Sequence, residues 1–283
     1  MLKNLRSQLV HEHVPHRSGE AILDVRGLGA RYNGSEALVD VSFSLLSGER
    51  VAVIGPNGAG KSTLFKIIAG VQPASAGEVR IFGFSPENHI CIAYVPQRSQ
   101  VDWSFPATVA DVVMMGRIGK IGLFRLAGRR DRQKVAECLK LVGMASLGNR
   151  QIGELSSGQQ QRVFIAQAMA QEADLILMDE SLTGLDLEAR EHIFSILELL
   201  KARQVNVMLA THDLQLAELR FDRVMLLNRR LIAFGDPEEV LAPDTLLSAY
   251  SGRLHILHSG SGLVTLVEDS CHDNPLEGGS LHA

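Results

Sequence analysis

The chain has 283 residues, of which 46% are hydrophobic, 21% charged and 5% aromatic, and its formal net charge is −4. This composition suits a globular α/β domain and excludes collagen-like, disulfide-stapled and intrinsically disordered chains. The acidic balance argues against a dedicated nucleic-acid-binding protein, which usually carries a basic excess. No apolar run reaches the roughly 18 residues that a membrane-spanning helix needs, so we expect a soluble protein or one that reaches a membrane through a partner.

The apolar pattern predicts strands that alternate with helices. From residue 21 to residue 46, short apolar runs alternate with turn residues, which indicates antiparallel strands. Helical spacing of apolar residues follows, first at Leu64, Ile67 and Ile68, and later from Ala189 to Leu200. The other predicted strands are 51–54, 80–82, 90–95, 175–178 and 205–210, with a hairpin over 224–234. This alternation predicts an α/β fold with a parallel sheet and crossover helices.

Changes in composition divide the chain into a core and two tails. Residues 1–20 and 257–283 are rich in polar residues and histidine, and we expect both to be flexible. The domain between them covers 21–256. Within it, charged and apolar residues recur at helical spacing from about 98 to 157, which predicts a helical insertion.

The segment GPNGAGKST matches the phosphate-loop pattern G-x-x-x-x-G-K-[ST] and lies between a strand and a helix. Its glycines allow successive N–H groups to point at a phosphate, and the helix N-terminus adds partial positive charge. Lys61 can reach the β- and γ-phosphates, and Ser62 can place its hydroxyl on Mg²⁺. A glycine-rich turn that binds nothing is the alternative. The predicted phosphate-binding residues are Gly55, Pro56, Asn57, Gly58, Ala59, Gly60, Lys61, Ser62 and Thr63.

Two carboxylates end the apolar strand at 175–178. In open α/β sheets, ligands lie beyond the carboxyl ends of the strands, so Asp179 is a candidate Mg²⁺ ligand. Glu180 is one residue further on and is expected to point elsewhere, where it could hold an attacking water and take its proton. The alternative is a solvated acidic strand end.

With these motifs, residues 20–255 resemble the ATP-binding subunit of an ABC transporter. The sequence LSSGQQQR at 155–162 resembles the signature motif of that family, and SLTGLD at 181–186 resembles its D-loop. Gln97 lies at the position of the Q-loop glutamine, His212 at that of the switch histidine, and Tyr32 where the family stacks an aromatic ring on adenine. The resemblance implies an ABC ATPase fold, which is a RecA-like P-loop NTPase core with an antiparallel β subdomain and a helical insertion.

The resemblance also implies ATP and Mg²⁺ as cofactors and a role for each matching residue. Glu180, His212, Lys61 and Gln97 would be catalytic, and Ser62, Gln97 and Asp179 would hold Mg²⁺. Ser156, Gly158 and Gln159 would contact the γ-phosphate bound by a second copy, in a head-to-tail homodimer whose two sites Asp186 helps to couple. From the residues alone, Tyr32 could be a half-buried strand aromatic, Gln97 a loop glutamine, His212 a structural histidine and Ser156 an ordinary helix cap.

Two positions depart from the family pattern. Ser157 stands where the family usually has glycine, and its Cβ could crowd the approach to phosphate. Ser181 stands where proline usually follows the catalytic glutamate, which loosens the backbone at this turn. Neither change removes a catalytic group, so we expect activity to persist.

The stretch VPQRSQVDWSFPATV at 95–109 is similar to the Q-loop region of the manganese, zinc and iron importer group. Trp103 and Phe105, beside Asp102, could form an exposed apolar patch for a partner helix, or both rings could fill the helical insertion. The resemblance implies a peripheral ATPase on the cytoplasmic face of the inner membrane. It would power metal uptake through an integral membrane permease, with an indirect link to a solute-binding protein and no nucleic-acid partner.

Three alternatives stay open at this point. One is an ABC ATPase of another importer or exporter class, another is a soluble ABC ATPase that acts on nucleic acid or ribosomes, and the third is a regulator that binds ATP without turnover. Histidines near the N-terminus and in the C-terminal region could bind transition metals, although such stretches are more often solvated. These histidines are His11, His13, His16, His255, His258, His272 and His282.

Overall fold

A computed structural model describes residues 21–32, 34–85, 91–122 and 125–250, and the backbone of two strands near the C-terminus. Its strands are β1 (Ala21–Tyr32), β2 (Ser35–Leu46), β3 (Arg50–Ile54), β4 (Ala76–Ile81), β5 (Ile92–Val95), β6 (Leu175–Asp179), β7 (Asn206–Ala210), β8 (Arg223–Asn228), β9 (Arg230–Gly235), β10 (Leu254–His258) and β11 (Val264–Glu268). Its helices are α1 (Lys61–Ile68), α2 (Val109–Met115), α3 (Ile118–Ile121), α4 (Arg129–Leu141), α5 (Ser157–Gln171), α6 (Leu187–Ala202), α7 (Leu214–Arg220), α8 (Pro237–Val240) and α9 (Pro243–Tyr250).

The central sheet contains six strands in the order β5-β6-β7-β3-β8-β9. All neighbouring pairs are parallel except β8 and β9, which form the predicted hairpin. Strands β3, β6 and β7 are buried along their whole length, because the sheet is covered on both faces. The prediction of a parallel α/β sheet is therefore confirmed.

Side chains of the central sheet alternate between two hydrophobic cores. On β3, Val51 and Val53 face the core that contains α1, whereas Ala52 and Ile54 face the core that contains α5 and α6. The parallel pairing also brings the carboxyl ends of β3, β5, β6 and β7 to one edge. At that edge, Asp179 on β6 pairs with Ala210 on β7, and Ala210 pairs with Val53 on β3.

A separate antiparallel sheet has the order β2-β1-β4 and packs with the α1 core. The predicted antiparallel strands over 21–46 are confirmed. The strand predicted at 80–82 is instead β4, which begins at Ala76 and ends at Ile81. Phe82 lies in a turn with φ 49°, where its N–H donates to the carbonyl of Ile22 at 2.9 Å. Of the strand predicted at 90–95, residues 92–95 form β5, while residue 90 lies outside the described part.

The region between β5 and β6 is helical, and α5 packs against both α2 and α4. Its core is formed by one face of each helix, with Val113 from α2, Leu139 from α4 and Val163 from α5 fully or almost fully buried. The predicted helical character of this insertion is therefore confirmed, with α2 over Val109–Met115 and α4 over Arg129–Leu141 as two of its helices. The proposed boundary near residue 157 stays a prediction.

Near the C-terminus, β10 and β11 pair as an antiparallel hairpin that spans the predicted domain end at residue 256, so β11 lies within the stretch predicted to be a flexible tail. The N-terminal extension, the rest of that tail and the side chains of all the tail histidines lie outside the described residues. Among the residues that the structure describes, no helix is long and apolar enough to cross a bilayer. Cys91 and Cys138 are free thiols.

Candidate nucleotide-binding site

The loop that joins β3 to α1 requires glycine at two positions. At Gly60, φ is 97°, and a Cβ there would lie 2.5 Å from the carbonyl oxygen of Ala37. At Gly55, a Cβ would lie 1.9 Å from the carbonyl oxygen of Leu227, the last residue but one of β8. The loop can therefore close only because these residues lack side chains. Its backbone is left free to approach a ligand at the N-terminus of α1.

Lys61, the first residue of α1, is folded back over this loop. Its Nζ donates to the carbonyl oxygens of Gly55 at 2.7 Å and Pro56 at 3.2 Å, and only 6% of the residue is exposed. The same Nζ lies 3.9 Å from Oε1 of Glu180. The cation thus lies between the phosphate-loop backbone and the carboxylate that follows β6.

The structure brings Ser62 and Asp179 together, as the Mg²⁺ prediction requires. Ser62 Oγ donates to Oδ1 of Asp179 at 3.0 Å, and Asp179 is fully buried. A hydroxyl and a carboxylate oxygen are hard donors of the kind that Mg²⁺ prefers. The pair therefore fits a magnesium site at the carboxyl edge of the sheet.

Asp179 has a second partner that the sequence analysis missed. The hydroxyl of Tyr94 on β5 donates to Oδ2 of Asp179 at 3.1 Å. Burial raises the pKa of Tyr94, and the charge of Asp179 raises it further, so the hydroxyl stays protonated and can donate. This contact could be found from the sequence only if the strand order were known, because Tyr94 reaches Asp179 only when β5 and β6 are neighbours.

Glu180 directs its carboxylate to different partners from those of Asp179. Gln97 Nε2 donates to Oε2 of Glu180 at 2.9 Å, and Lys61 lies on the side of Oε1. The backbone at Glu180 has φ 46°, and its N–H donates to the carbonyl of Ala210 at 3.2 Å. Strained backbone of this kind is often found at functional sites. Three of the predicted catalytic residues, Lys61, Gln97 and Glu180, therefore meet at one point.

His212, the fourth predicted catalytic residue, is exposed just beyond the end of β7. The preceding residue, Thr211, is buried, and its N–H donates to the carbonyl of Val53 at 3.0 Å. This bond ties the loop to β3 immediately before the phosphate loop. His212 thus lies on the same edge of the sheet as Asp179.

The signature residues form the start of α5. Ser156 caps this helix: its Oγ accepts from the Gln159 N–H at 3.4 Å, while Gln159 Oε1 accepts from the Ser156 N–H at 3.0 Å. A Cβ on Gly158 would lie 2.6 Å from Cβ of Ala189 on α6, so helix packing already requires glycine here. The contacts above join these signature residues to each other and to α6. Their role toward a second copy stays a prediction.

The predicted D-loop lies beside the signature helix. Asp186 caps α6, and its Oδ1 accepts from the Ala189 N–H at 2.7 Å. Ala189 is also the residue against which Gly158 packs, so the two motifs are in contact. Ser181 is 6% exposed, and its hydroxyl has no hydrogen-bond partner among the described residues. Ser157 is half-buried as the first residue of α5.

Tyr32 ends β1 and is half-buried against the core that contains α1. Its hydroxyl is buried without a partner in the part of the chain described here, and burial raises its pKa. This placement fits the half-buried strand aromatic that the sequence left as an alternative. Stacking on adenine stays a prediction.

The proposed Trp103 and Phe105 patch is only half correct. Trp103 packs edge-to-face against Phe164 on α5, with ring centroids 5.7 Å apart, and its Nε1 donates to the carbonyl of Arg98 at 3.0 Å. Because its ring packs on the helices and its N–H has a partner, it belongs to the helical core. Phe105 is 57% exposed and is the ring available to a partner.

Arg98, the residue after Gln97, links the Q-loop to the signature helix. Its Nε donates to Oε1 of Gln160 at 3.2 Å, and Gln160 is 2% exposed on α5. Gln160 in turn donates through Nε2 to the carbonyl of Ile152 at 3.2 Å. Both polar ends of the buried Gln160 side chain therefore have a partner, one in the Q-loop and one in the segment just before the signature motif.

A cavity of about 440 Å³ opens beside the tip of the phosphate loop. The turn between β8 and β9 forms one wall, and the N–H of Arg229 in that turn donates to the carbonyl of Ala59 at 2.8 Å. The guanidinium groups of this turn add positive charge next to the loop. The lining residues are Glu36, Val39, Asn57, Gly58, Asn228, Arg229 and Arg230.

A phosphate loop after β3, a hydroxyl–carboxylate pair across to β6 and a glutamate beside the loop lysine define a P-loop nucleotide-hydrolysing protein. The sequence model of the ABC transporter family matches residues 38–183, which is more than half of the chain. The chain therefore belongs to the ABC transporter family. It is an ABC ATPase that binds nucleotide, and its fold is the predicted ABC ATPase fold.

Relatives and solved structures agree with this assignment. The zinc transport system ATP-binding protein TroB of Treponema pallidum (strain Nichols) is 46% identical over 234 residues, covering 82% of this chain and 88% of the relative. The manganese transport system ATP-binding protein MntB of Bacillus subtilis (strain 168) is 44% identical over 227 residues, covering 80% and 91%. The structure of an inward-facing metal-chelate type ABC transporter superposes with a TM-score of 0.73 at 28% identity, covering 87% of this chain and 96% of that chain.

Proposed function

We propose that this chain is the ATP-hydrolysing subunit of an importer for a metal cation, which is manganese, zinc or iron, and that it acts through a separate membrane permease. The observation that carries the proposal is the meeting of Lys61, Gln97 and Glu180 beside the phosphate loop. Similarity to the zinc and manganese ATP-binding proteins supports a metal cation as the cargo. The chelated iron transport system membrane protein YfeB of Yersinia pestis, which is 42% identical over 236 residues covering 82% of this chain and 79% of the relative, supports iron as a further candidate.

The proposed reaction is attack of water on the γ-phosphate of ATP, in which the bond from the γ-phosphorus to the bridging oxygen breaks and ADP and phosphate leave. Residues 55–63 enclose the phosphates, and the Lys61 ammonium exchanges its loop carbonyls for the phosphate oxygens whose charge it neutralises. Mg²⁺, held by Ser62, Asp179 and Gln97, would supply further charge neutralisation. Tyr32 would stack on the adenine ring.

Glu180 and His212 would perform the proton transfer and charge stabilisation. The Glu180 carboxylate orients the attacking water and accepts its proton, while the Gln97 amide holds that carboxylate at 2.9 Å. His212 would donate a hydrogen bond to the γ-phosphate in the transition state. Both residues follow strands at the same edge of the sheet, so one phosphate can reach both.

Two copies are proposed to close head to tail around two ATP molecules. Ser156, Gly158 and Gln159 of each copy would cap the γ-phosphate bound by the other, and Asp186 would connect the sites. Contact between Gly158 and Ala189 joins the signature helix to the D-loop helix, so motion at one is transmitted to the other. Closure on ATP and opening after hydrolysis would drive the permease.

We propose that the chain docks on the cytoplasmic face of the inner membrane as a peripheral subunit. Phe105 offers an exposed apolar side chain close to Asp102, and Trp103 anchors this segment to α5. Gln97, which donates to the Glu180 carboxylate, begins the loop that contains Phe105. A permease helix bound at Phe105 would therefore be linked to the catalytic carboxylate through a short stretch of chain. A solute-binding protein would act indirectly, by delivering the cation to the permease.

Substituting Glu180 tests the ATPase mechanism. Glu180→Gln should abolish steady-state phosphate release, because the amide cannot accept the proton of the attacking water. ATP binding should persist, and the variant should elute as an ATP-dependent dimer in sizing chromatography. Glu218→Gln is the matched control, since Glu218 is exposed on α7. Phosphate release by Glu180→Gln at the wild-type rate would disprove the assigned role.

Substituting Phe105 tests docking. Phe105→Ser should reduce the fraction of the chain that sediments with membranes of its native host, while ATP binding in solution is unchanged. Phe84→Ser is the control, because Phe84 is a comparably exposed ring in the antiparallel-sheet region. Equal sedimentation of the two variants would rule out Phe105 as a docking residue.

A further inference from the structure

The two oxygens of the Asp179 carboxylate are held by different side chains. Oδ1 accepts from Ser62 Oγ at 3.0 Å, and Oδ2 accepts from the Tyr94 hydroxyl at 3.1 Å. Asp179 itself is fully buried at the end of β6. The carboxylate is thus clamped between the first turn of α1 and the neighbouring strand β5.

Tyr94 is well placed to fix this orientation. It lies in the middle of β5, whose backbone is bonded to β6 in register, with Tyr94 opposite Leu177. Its side chain is half-buried against the core that contains α1. Because the strand and the ring are both held by packing, the hydroxyl oxygen has little freedom to move away from Asp179.

We propose that Tyr94 is a positioning residue that holds Asp179 so that Oδ1 is directed at Ser62 and at the Mg²⁺ of the bound nucleotide. This inference rests on the proposed Mg²⁺ site. Hydrogen bonds of this kind orient metal-binding carboxylates, and their removal commonly weakens metal affinity by about 10-fold or more. Without the hydroxyl, the buried carboxylate can rotate, and Oδ1 loses its fixed direction.

The test uses the purified full chain and ADP as the ligand, because ADP binds without turnover. The affinity for ADP is measured by calorimetry in EDTA and over a series of Mg²⁺ concentrations. Tyr94→Phe removes one oxygen and keeps the ring. We expect it to raise the Mg²⁺ concentration at the midpoint by about 10-fold. The ADP affinity in EDTA should stay within about twofold of wild type, since the phosphate loop is intact.

Tyr250→Phe is the matched control, because Tyr250 lies at the end of α9 and packs against the core that contains α5 and α6, whereas Tyr94 packs against the core that contains α1. It should leave the Mg²⁺ midpoint unchanged. A second comparison removes the acceptor: in an Asp179→Ala background, Tyr94→Phe should have no further effect, because Tyr94 acts only through Asp179.

The outcomes separate this inference from the proposed Mg²⁺ site. If ADP binding by the wild type does not respond to Mg²⁺, the metal site is wrong and the inference falls with it. If the wild type responds and Tyr94→Phe has the same midpoint, Tyr94 does not position Asp179. A loss of ADP affinity in EDTA, or an equal effect in the Asp179→Ala background, would show a structural role instead and would also overturn the proposal.

Discussion

Glu172 offers a test of what holds the helical region together. It ends α5 in a left-handed conformation with φ 59°, and its carboxylate lies 3.3 Å from the guanidinium of Arg117. The ammonium of Lys134 on α4 lies 3.0 Å away, and the ammonium of Lys120 on α3 is also in contact. One carboxylate therefore connects α5 to α3, α4 and the segment before α3.

The contribution of these ion pairs to the folding free energy follows from the pKa of Glu172. Burial raises this pKa, but hydrogen bonds from Lys120 and Lys134 outweigh burial and lower it from 4.5 to about 2. That difference corresponds to at most about 3.4 kcal/mol of folding free energy. Because the side chain is 38% exposed, solvent screens the charges and we expect about 1–2 kcal/mol.

The perturbation is Glu172→Gln, which keeps the size of the side chain and removes its charge. At neutral pH the variant should lose about 1–2 kcal/mol of unfolding free energy. For a domain of this size, the melting temperature should fall by about 2–4 °C. Glu137→Gln is the control, because Glu137 is exposed on α4 and accepts one bond, from Gln133 at 3.1 Å.

The pH dependence has a definite sign. The folded-state pKa lies below the ordinary value, so the charged carboxylate stabilises the folded state fully above pH 4.5. This contribution is lost as the pH falls from 4.5 towards about 2. The difference between wild type and Glu172→Gln should therefore be constant near neutrality and become smaller below pH 4.5.

Urea unfolding followed by circular dichroism measures the loss of unfolding free energy and its pH dependence, at neutral pH and in acid, with and without added salt. Two results would refute the reasoning. One is a Glu172→Gln variant as stable as Glu137→Gln at neutral pH. The other is a loss of stability that does not change with pH, which would indicate a packing effect instead of a charge effect.

Two contacts of the signature helix give further predictions. Gly158→Ala should lower the free energy of unfolding by about 1–3 kcal/mol, because the added methyl group would overpack against Ala189. Adding Ala189→Gly to this variant should recover part of the loss. Equal melting temperatures for Gly158→Ala and wild type would contradict the contact. Arg98→Ala should lower the free energy of unfolding by about 1–2 kcal/mol, because it leaves the buried Gln160 Oε1 without its donor. The double variant Arg98→Ala with Gln160→Leu should lose less, because the unsatisfied oxygen is then absent. Urea unfolding checks this prediction, and a double variant less stable than Arg98→Ala would contradict it.

Much of the fold could be predicted because its signals are local. The GPNGAGKST segment is recognisable from its own residues, and the φ angles of 76° at Gly58 and 97° at Gly60 favour glycine whatever surrounds the loop. Strand β3 and the hairpin β8–β9 were evident from short apolar runs and their turn residues. The capping box at Ser156 likewise involves only residues three positions apart.

Errors arose where an element end or a side-chain environment depends on distant residues. The strand predicted at 80–82 begins earlier, because β4 pairs with β1 from Ala76 onwards. The sequence left open whether Trp103 and Phe105 are both exposed or both fill the helical insertion, and the structure separates them, because the Trp103 ring packs on Phe164, which lies on a helix much later in the chain, while Phe105 is exposed. Apolar residues in a loop do not by themselves reveal whether a helix covers them.

From its sequence alone, the chain was determined to be a P-loop ATPase, since Lys61, Ser62 and the carboxylates after β6 occur in short recognisable patterns. Only the tertiary structure decided which side chains surround these groups. Tyr94 reaches Asp179 because β5 and β6 are neighbours in the sheet, although they are far apart in the chain. Local periodicity specifies which segments become strands and helices, whereas strand order and helix packing select the partner of each side chain.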